Sequence, residues 1–228
     1  MQRILIILLV LLLIPTGSVP AVNPAVAAGE REYPCRELYE AMSLDGIVNY
    51  TAFEQAFAGY YKIGERKKNI FTLIDFTKPS TEERLYVFDV AKKKMLFKSH
   101  VSHGRNSGEN YATSFSNDNG SHKSSLGFYL TGSTYQGKNG YSMLLHGLEK
   151  GINDKARERS IVVHAAAYAN PSAIGPGGRL GRSFGCPALP QAVNDKIINA
   201  IKDGTVMYIY ANDRTYIAQS EYVPKPIM

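Results

Sequence analysis

In this chain of 228 residues, the side chain best placed for covalent chemistry is Cys186, in the stretch GRSFGCPALP at 181–190. A thiol attacks as its thiolate, which ordinarily forms near pH 8.5, so it needs a base or a cation beside it. The nearest candidate upstream is His164, which closes the apolar run IVVH at 161–164. A glycine-flanked turn supplies a further requirement of acyl transfer, because the backbone N–H groups of Gly185 and Cys186 can converge on the oxygen of an attacked carbonyl. Ser183 is expected to orient that turn or to add a donor. Nucleophile, base and oxyanion donors would then come from one segment. Histidine precedes cysteine, the reverse of papain-type proteases, and the caspase cysteine signature is missing. A sortase pattern wants threonine immediately before the cysteine, where this chain has Gly185.

His100, His103, His122 and His146 all lie upstream of His164. The HVSH spacing of His100 and His103 could serve a zinc pair, but no HExxH occurs and no clear acidic third ligand stands beside it. In a strand, alternate positions point to opposite faces, so residues three apart do not converge. Structural or substrate-lining roles are therefore expected, and no metal. His146, in LLHGLE, is the second candidate base if it lies on a strand beside His164. Tyr129, Tyr141 and Tyr168 are expected as groove walls or packing.

These groups need a rigid scaffold. Residues 35–62 carry apolar side chains at helical spacing in ELYEAM and NYTAFEQAFAGYYKI, predicting two helices. From Asn69 the pattern turns to strands: IFTLIDF, RLYVFDV and MLFKSHVSHG, then LGFYLTGSTY, SMLLHGL, IVVHA and TVMYIY. The lysines of AKKKM read as a solvated hairpin tip. The polar stretch RNSGENYATSFSNDNGSHKSS reads as loop, and KGINDKARERS as a turn or short helix. PQAVNDKIINAIKDG has proline suited to a first helical turn and Gly204 as its stop, so a helix follows the cysteine. The chain is thus expected to be mainly β, with helices at its ends.

The N-terminus has Arg3, an apolar run from Ile4 to Ile14 and small residues ending in AVAA. That run falls short of the roughly 20 residues needed to span a bilayer, so residues 1–28 read as a cleaved signal peptide. No cysteine follows at a lipid-attachment position. The formal charge of +6 draws only Arg3 from that segment, and the remaining basic residues are scattered, compatible with an anionic surface. Export takes nucleic acid out of the expected partners. An oxidising compartment favours a Cys35–Cys186 disulfide, yet one bridge is no framework for a domain this size. The surroundings of Cys186 predict a reactive thiol instead.

The stretch HAAAYANPSAIGPGGRLGRSFGCPA closely resembles the catalytic signature of the L,D-transpeptidases of the YkuD-like superfamily, in its murein L,D-transpeptidase catalytic domain branch. DFTKPSTEERLYVFDV, VSHGRNSG, FSNDNGSHKSSLGFYLTG, YQGKNGYS and NDKARERSIVVH are similar as well, so the resemblance runs from about Asn69 to Tyr210. It implies a β-rich α+β, sandwich or barrel catalytic domain over 69–228, with a helical segment at 29–68 packed on it. It further implies a thioester at Cys186, with His164 as base, Ser183 and Gly185 completing the catalytic set, and release of D-alanine from a peptidoglycan stem peptide. The acceptor would be an amine of a second stem or of a wall-attached protein; water would make the enzyme a carboxypeptidase. The same resemblance assigns His146, Tyr168, Ser125, Arg182 and Phe184 to substrate binding, with no cofactor and a monomer in the periplasm. Ala165 stands where relatives carry glycine or serine, so only its carbonyl can orient the imidazole. Phe184 replaces the tryptophan of this branch. A zinc-dependent wall peptidase and an inactive wall-binding module are the alternatives of other classes.

Overall fold

The computed structural model describes residues 32–225, and the expected signal peptide at 1–28 lies outside them. Two helices come first, α1 (Glu32–Ala41) and α2 (Tyr50–Lys62). Asn49 caps α2, its side-chain oxygen accepting from the Ala52 N–H at 3.1 Å. The helical spacing of Phe53, Phe57 and Tyr60 turns one face of α2 inward, where all three are buried. Phe53 meets Phe71 at 5.6 Å and Phe88 at 5.3 Å between ring centroids, so the helices share one core with the sheet. They pack on the sheet and complete its core.

Eight strands follow: β1 (Ile70–Asp75), β2 (Leu85–Asp89), β3 (Lys94–Ser99), β4 (Gly127–Gly137), β5 (Gly140–Gly147), β6 (Val162–Ala165), β7 (Ala188–Leu189) and β8 (Val206–Tyr210). Helix α3 (Gln191–Ile201) lies between β7 and β8, and α4 (Arg214–Gln219) follows β8. They form one mixed sheet in the order β3-β2-β1-β8-β4-β5-β6-β7, with β1–β8 and β6–β7 parallel. Central β1 and β8 are buried along nearly their whole length, with α2 packed against both.

The predicted strand MLFKSHVSHG ends at Ser99, and its continuation does something else. Ser102 bridges Ala188 and Gly104 bridges Ser183, joining the two edges of the sheet order and bringing it close to a barrel. The segment after β3 thereby lies along the segment that carries the cysteine. Pro190 sits at the N-cap of α3, one position before the predicted first turn. The sequence reading also missed α4, which makes two helices after the cysteine instead of one. Asp213 caps α4, and buried Glu149 holds it by accepting from Tyr216 and from Ser220 beyond its end. Among the described residues no helix is long and apolar enough to cross a membrane.

Candidate active site

The cysteine turn is held from both sides. Ser183 N–H donates to the His103 carbonyl at 2.9 Å, and Arg105 N–H donates to the Ser183 carbonyl at 2.8 Å. Ser183 Oγ donates to the Cys186 carbonyl at 2.6 Å and accepts the Gly185 N–H at 3.0 Å. Ser124 Oγ accepts from Gly104 N–H at 3.0 Å and donates to the Gly185 carbonyl at 3.2 Å. Gly185 has φ +124, and a Cβ there would lie 2.8 Å from the Lys123 carbonyl. Glycine is required by both conformation and space. The expected pair of oxyanion donors is corrected here: Ser183 Oγ occupies the Gly185 N–H, and only the Cys186 N–H stays beside its own sulfur.

Strand β6 presents His164. Its register partner on parallel β7 is Ala188, two residues beyond Cys186, so imidazole and thiol lie on neighbouring segments. Nδ1 sits 2.8 Å from the Ala165 carbonyl, which fixes the proton on Nδ1 and leaves the Nε2 lone pair for a substrate or thiol proton. The thiol itself donates to the Ser160 carbonyl at 3.6 Å. Ser160 turns that carbonyl inward from a left-handed conformation, φ 55. Burial pushes the Cys186 thiol up, against the opposing effects of the Val162 N–H and the Arg159 guanidinium. Burial likewise pulls His164 below the usual imidazole range. The two groups therefore rest as neutral thiol and neutral imidazole rather than as an ion pair.

The remaining candidates separate. The Tyr168 phenol is pushed up to about 12, first by burial and then by the charge of Cys186 as thiolate. Phe184 is 62% exposed and packs on His122, ring centroids 4.5 Å apart, with the Arg105 guanidinium carbon 4.6 Å from its own centroid. Arg105 Nη2 donates to His122 Nδ1 at 3.0 Å, and no carboxylate among the described residues pairs with it. Arg105, His122 and Phe184 make a solvent-facing cationic platform two residues from the nucleophile.

Three expected roles do not fit where the structure puts their residues. Ser125 is buried, donates to the Ser116 carbonyl at 2.8 Å and accepts from Arg159 at 2.5 Å, so it holds a loop and not a substrate. Arg182 is bound to the Arg105 and Gly108 carbonyls and pairs with Glu109 at 2.7 Å. His146 is on β5 as expected, but the residue opposite His164 is Ser142, four positions away, or about 13 Å along the strand. It is exposed there and cannot replace His164. His103 is wholly buried, with Nδ1 accepting from Arg84 at 2.8 Å, and its role is packing. Among the described residues no group of three or more potential ligands gathers for a metal.

Arg159 was not singled out from the sequence. Its guanidinium reaches Ser116, Ser121, Lys123 and Ser125, and Nη2 lies 3.3 Å from where a Cβ on Gly185 would stand. No sequence signal links it to partners so far upstream. Arg105 was missed for the same reason, whereas His122 was among the histidines expected in structural or substrate-lining roles. Cys35 and Cys186 are both thiols; Cys35 lies buried in α1 among core side chains, Cys186 half-buried in the turn.

Comparison with known proteins adds three findings. A family model for the L,D-transpeptidase catalytic domain (YkuD_2) matches residues 45–210, starting upstream of the Asn69 boundary read from the sequence. No curated protein matches the chain. Solved structures with a similar fold include an L,D-transpeptidase from Mycobacterium smegmatis, 13% identical, covering 63% of this chain and 59% of that one, TM-score 0.39. The helical cell shape determining protein Pgp2 from Campylobacter jejuni is 16% identical over 70% of this chain and 56% of its own, TM-score 0.43. L,D-transpeptidase 3 from Mycobacterium tuberculosis is 12% identical over 63% and 62%, TM-score 0.41. The chain thus spans less than two thirds of each of these structures.

Proposed function

Since the chain belongs to the L,D-transpeptidase catalytic domain family, we propose that it is an exported cysteine acyltransferase working on peptidoglycan stem peptides in the periplasm. The observation that supports this reading is the placement of a half-buried Cys186 one strand from His164, whose Nδ1 is committed to the Ala165 carbonyl. In the proposed reaction His164 Nε2 takes the thiol proton as sulfur attacks the carbonyl before the terminal D-alanine. The Cys186 N–H faces the oxyanion that forms. The amine of D-alanine leaves with the proton from His164, giving a thioester on Cys186. An acceptor amine from a second stem or a wall-attached protein then attacks, losing its proton to His164, and the amide product departs with the thiol restored. The Arg105–His122–Phe184 platform offers the carboxylate-rich stem a cation and an apolar face beside the nucleophile.

The first test is intact mass after incubation with a carbapenem, which acylates a nucleophilic cysteine of this kind, followed by a tetrapeptide stem with and without an amine acceptor. One adduct per chain is expected, lost in Cys186→Ala and kept in Cys35→Ala. Release of D-alanine without acceptor would assign a carboxypeptidase, and no adduct and no D-alanine from folded, reduced protein would overturn the reading.

A further inference from the structure

We propose that Arg159 sets the reactivity of Cys186, its guanidinium being the fixed positive charge against which the thiolate forms. This rests on the proposed function and deepens it by adding a positioning residue. The guanidinium lies between two segments. Toward the 116–125 loop, Nη1 donates to the Ser116 carbonyl at 2.8 Å and to Ser125 Oγ at 2.5 Å. Nη2 donates to the Lys123 carbonyl at 2.6 Å and to Ser121 Oγ at 3.2 Å. Toward the nucleophile it packs on Gly185, with Nη2 3.3 Å from an ideal Cβ there. The next residue, Ser160, supplies the carbonyl that accepts the hydrogen bond of the resting thiol.

All four partners are neutral oxygens, and none of the ion pairs among the described residues includes Arg159. The charge is therefore held in place by hydrogen bonds but not cancelled by a carboxylate. The four Nη hydrogens are engaged by those oxygens, and we infer that Arg159 acts on sulfur chiefly through its field. The titratable groups around it are Cys186, the buried Tyr129 phenol and exposed Asp118; those around the sulfur are Arg159, Tyr168 and His164. Burial alone disfavours a thiolate in this turn, and Arg159 is the cation that opposes it. The planar fork explains arginine here: it holds four oxygens of one loop while its charge faces the other segment.

The test is the pH dependence of Cys186 alkylation by iodoacetamide, read by mass in a Cys35→Ala background with melting temperature followed in parallel. Neutral variants, Arg159→Met and the gentler Arg159→Gln, are expected to move the midpoint up by about one pH unit, slowing alkylation about tenfold below it. Arg159→Lys should bring the midpoint back toward wild type although its melting temperature stays lowered. A folded neutral variant with the wild-type midpoint overturns the proposal, as does a lysine variant no closer to wild type than glutamine. Loss of folding in all three variants would assign Arg159 to structure alone and also overturn it. Alkylation needs no stem peptide, so a moved midpoint in a protein that releases no D-alanine would sink the proposed reaction and leave this inference standing.

Discussion

At the scale of single residues, the site is a pair of neutral groups waiting for a substrate. Burial raises the Cys186 thiol and lowers the His164 imidazolium, so a proton must move as sulfur attacks. Activity then requires His164 unprotonated. The acid limb of kcat/KM is expected below the ordinary imidazole range near 6.5, and a pH profile on a stem peptide measures it. A limb at or above that value would contradict the neutral pair. The cysteine and the histidine were legible because their chemistry is carried by local sequence, and the Ala165 carbonyl was legible through the family resemblance. Arg159 and Ser124 were not, since a polar run such as SFSNDNGSHKSS announces a loop without saying which hydroxyl turns inward. Arg182 stood inside the motif, yet it is held by Arg105, Gly108 and Glu109 from another segment, and Ser125, far upstream of the motif, is tied to Ser116 and Arg159.

Among elements, the helices and strands followed from apolar spacing, and the exceptions have physical causes. Two-residue β7 is too short to show a period, and α4 depends on Asp213 and on Glu149 from another segment. Helix α2 carries a glycine the pattern did not explain. A methyl at Gly59 would stand 2.1 Å from the Phe128 ring, which is itself stacked on Tyr208 at 4.1 Å. Glycine to alanine inside a helix ordinarily gains about 1 kcal/mol. Here overpacking costs about 1–3 kcal/mol, so Gly59→Ala is expected to destabilise, as urea unfolding would register. A gain in stability would mean that the ring yields.

Across the whole molecule, closure of the sheet by the Ser102–Ala188 bridge makes the histidine-containing segment after β3 a support for the nucleophile, and acid sensitivity follows. Burial, and next the Arg84 charge, hold His103 at about 4 in the folded state, against an ordinary 6.5. Unfolded protein therefore binds a proton that folded protein refuses between those values, and stability falls as pH drops through that window. The full shift corresponds to about 3 kcal/mol. Asp75, raised by burial, works in the opposite sense, so the comparison must be with His103→Gln. Urea unfolding at pH 7 and 4.5 is expected to show wild type losing more stability than the variant; equal losses would remove His103 as the cause. None of this could be read from HVSH, because the imidazole's surroundings come from Arg84 and Gly108.

Between base and nucleophile, Gly181 N–H donates to the Tyr168 carbonyl at 2.9 Å, and a Cβ at Gly181 would lie 2.4 Å from that of Tyr168. The mostly exposed residues 171–178 hang beyond this staple. The number of residues separating histidine from cysteine is consequently decoupled from the distance between them. Lengthening such a loop costs only about 0.6 kcal/mol per doubling. Insertions can accumulate there without moving the chemistry, so a search pattern with a fixed histidine-to-cysteine gap would overlook kindred chains. A nick within the loop would leave base and nucleophile on two polypeptides still joined by the barrel.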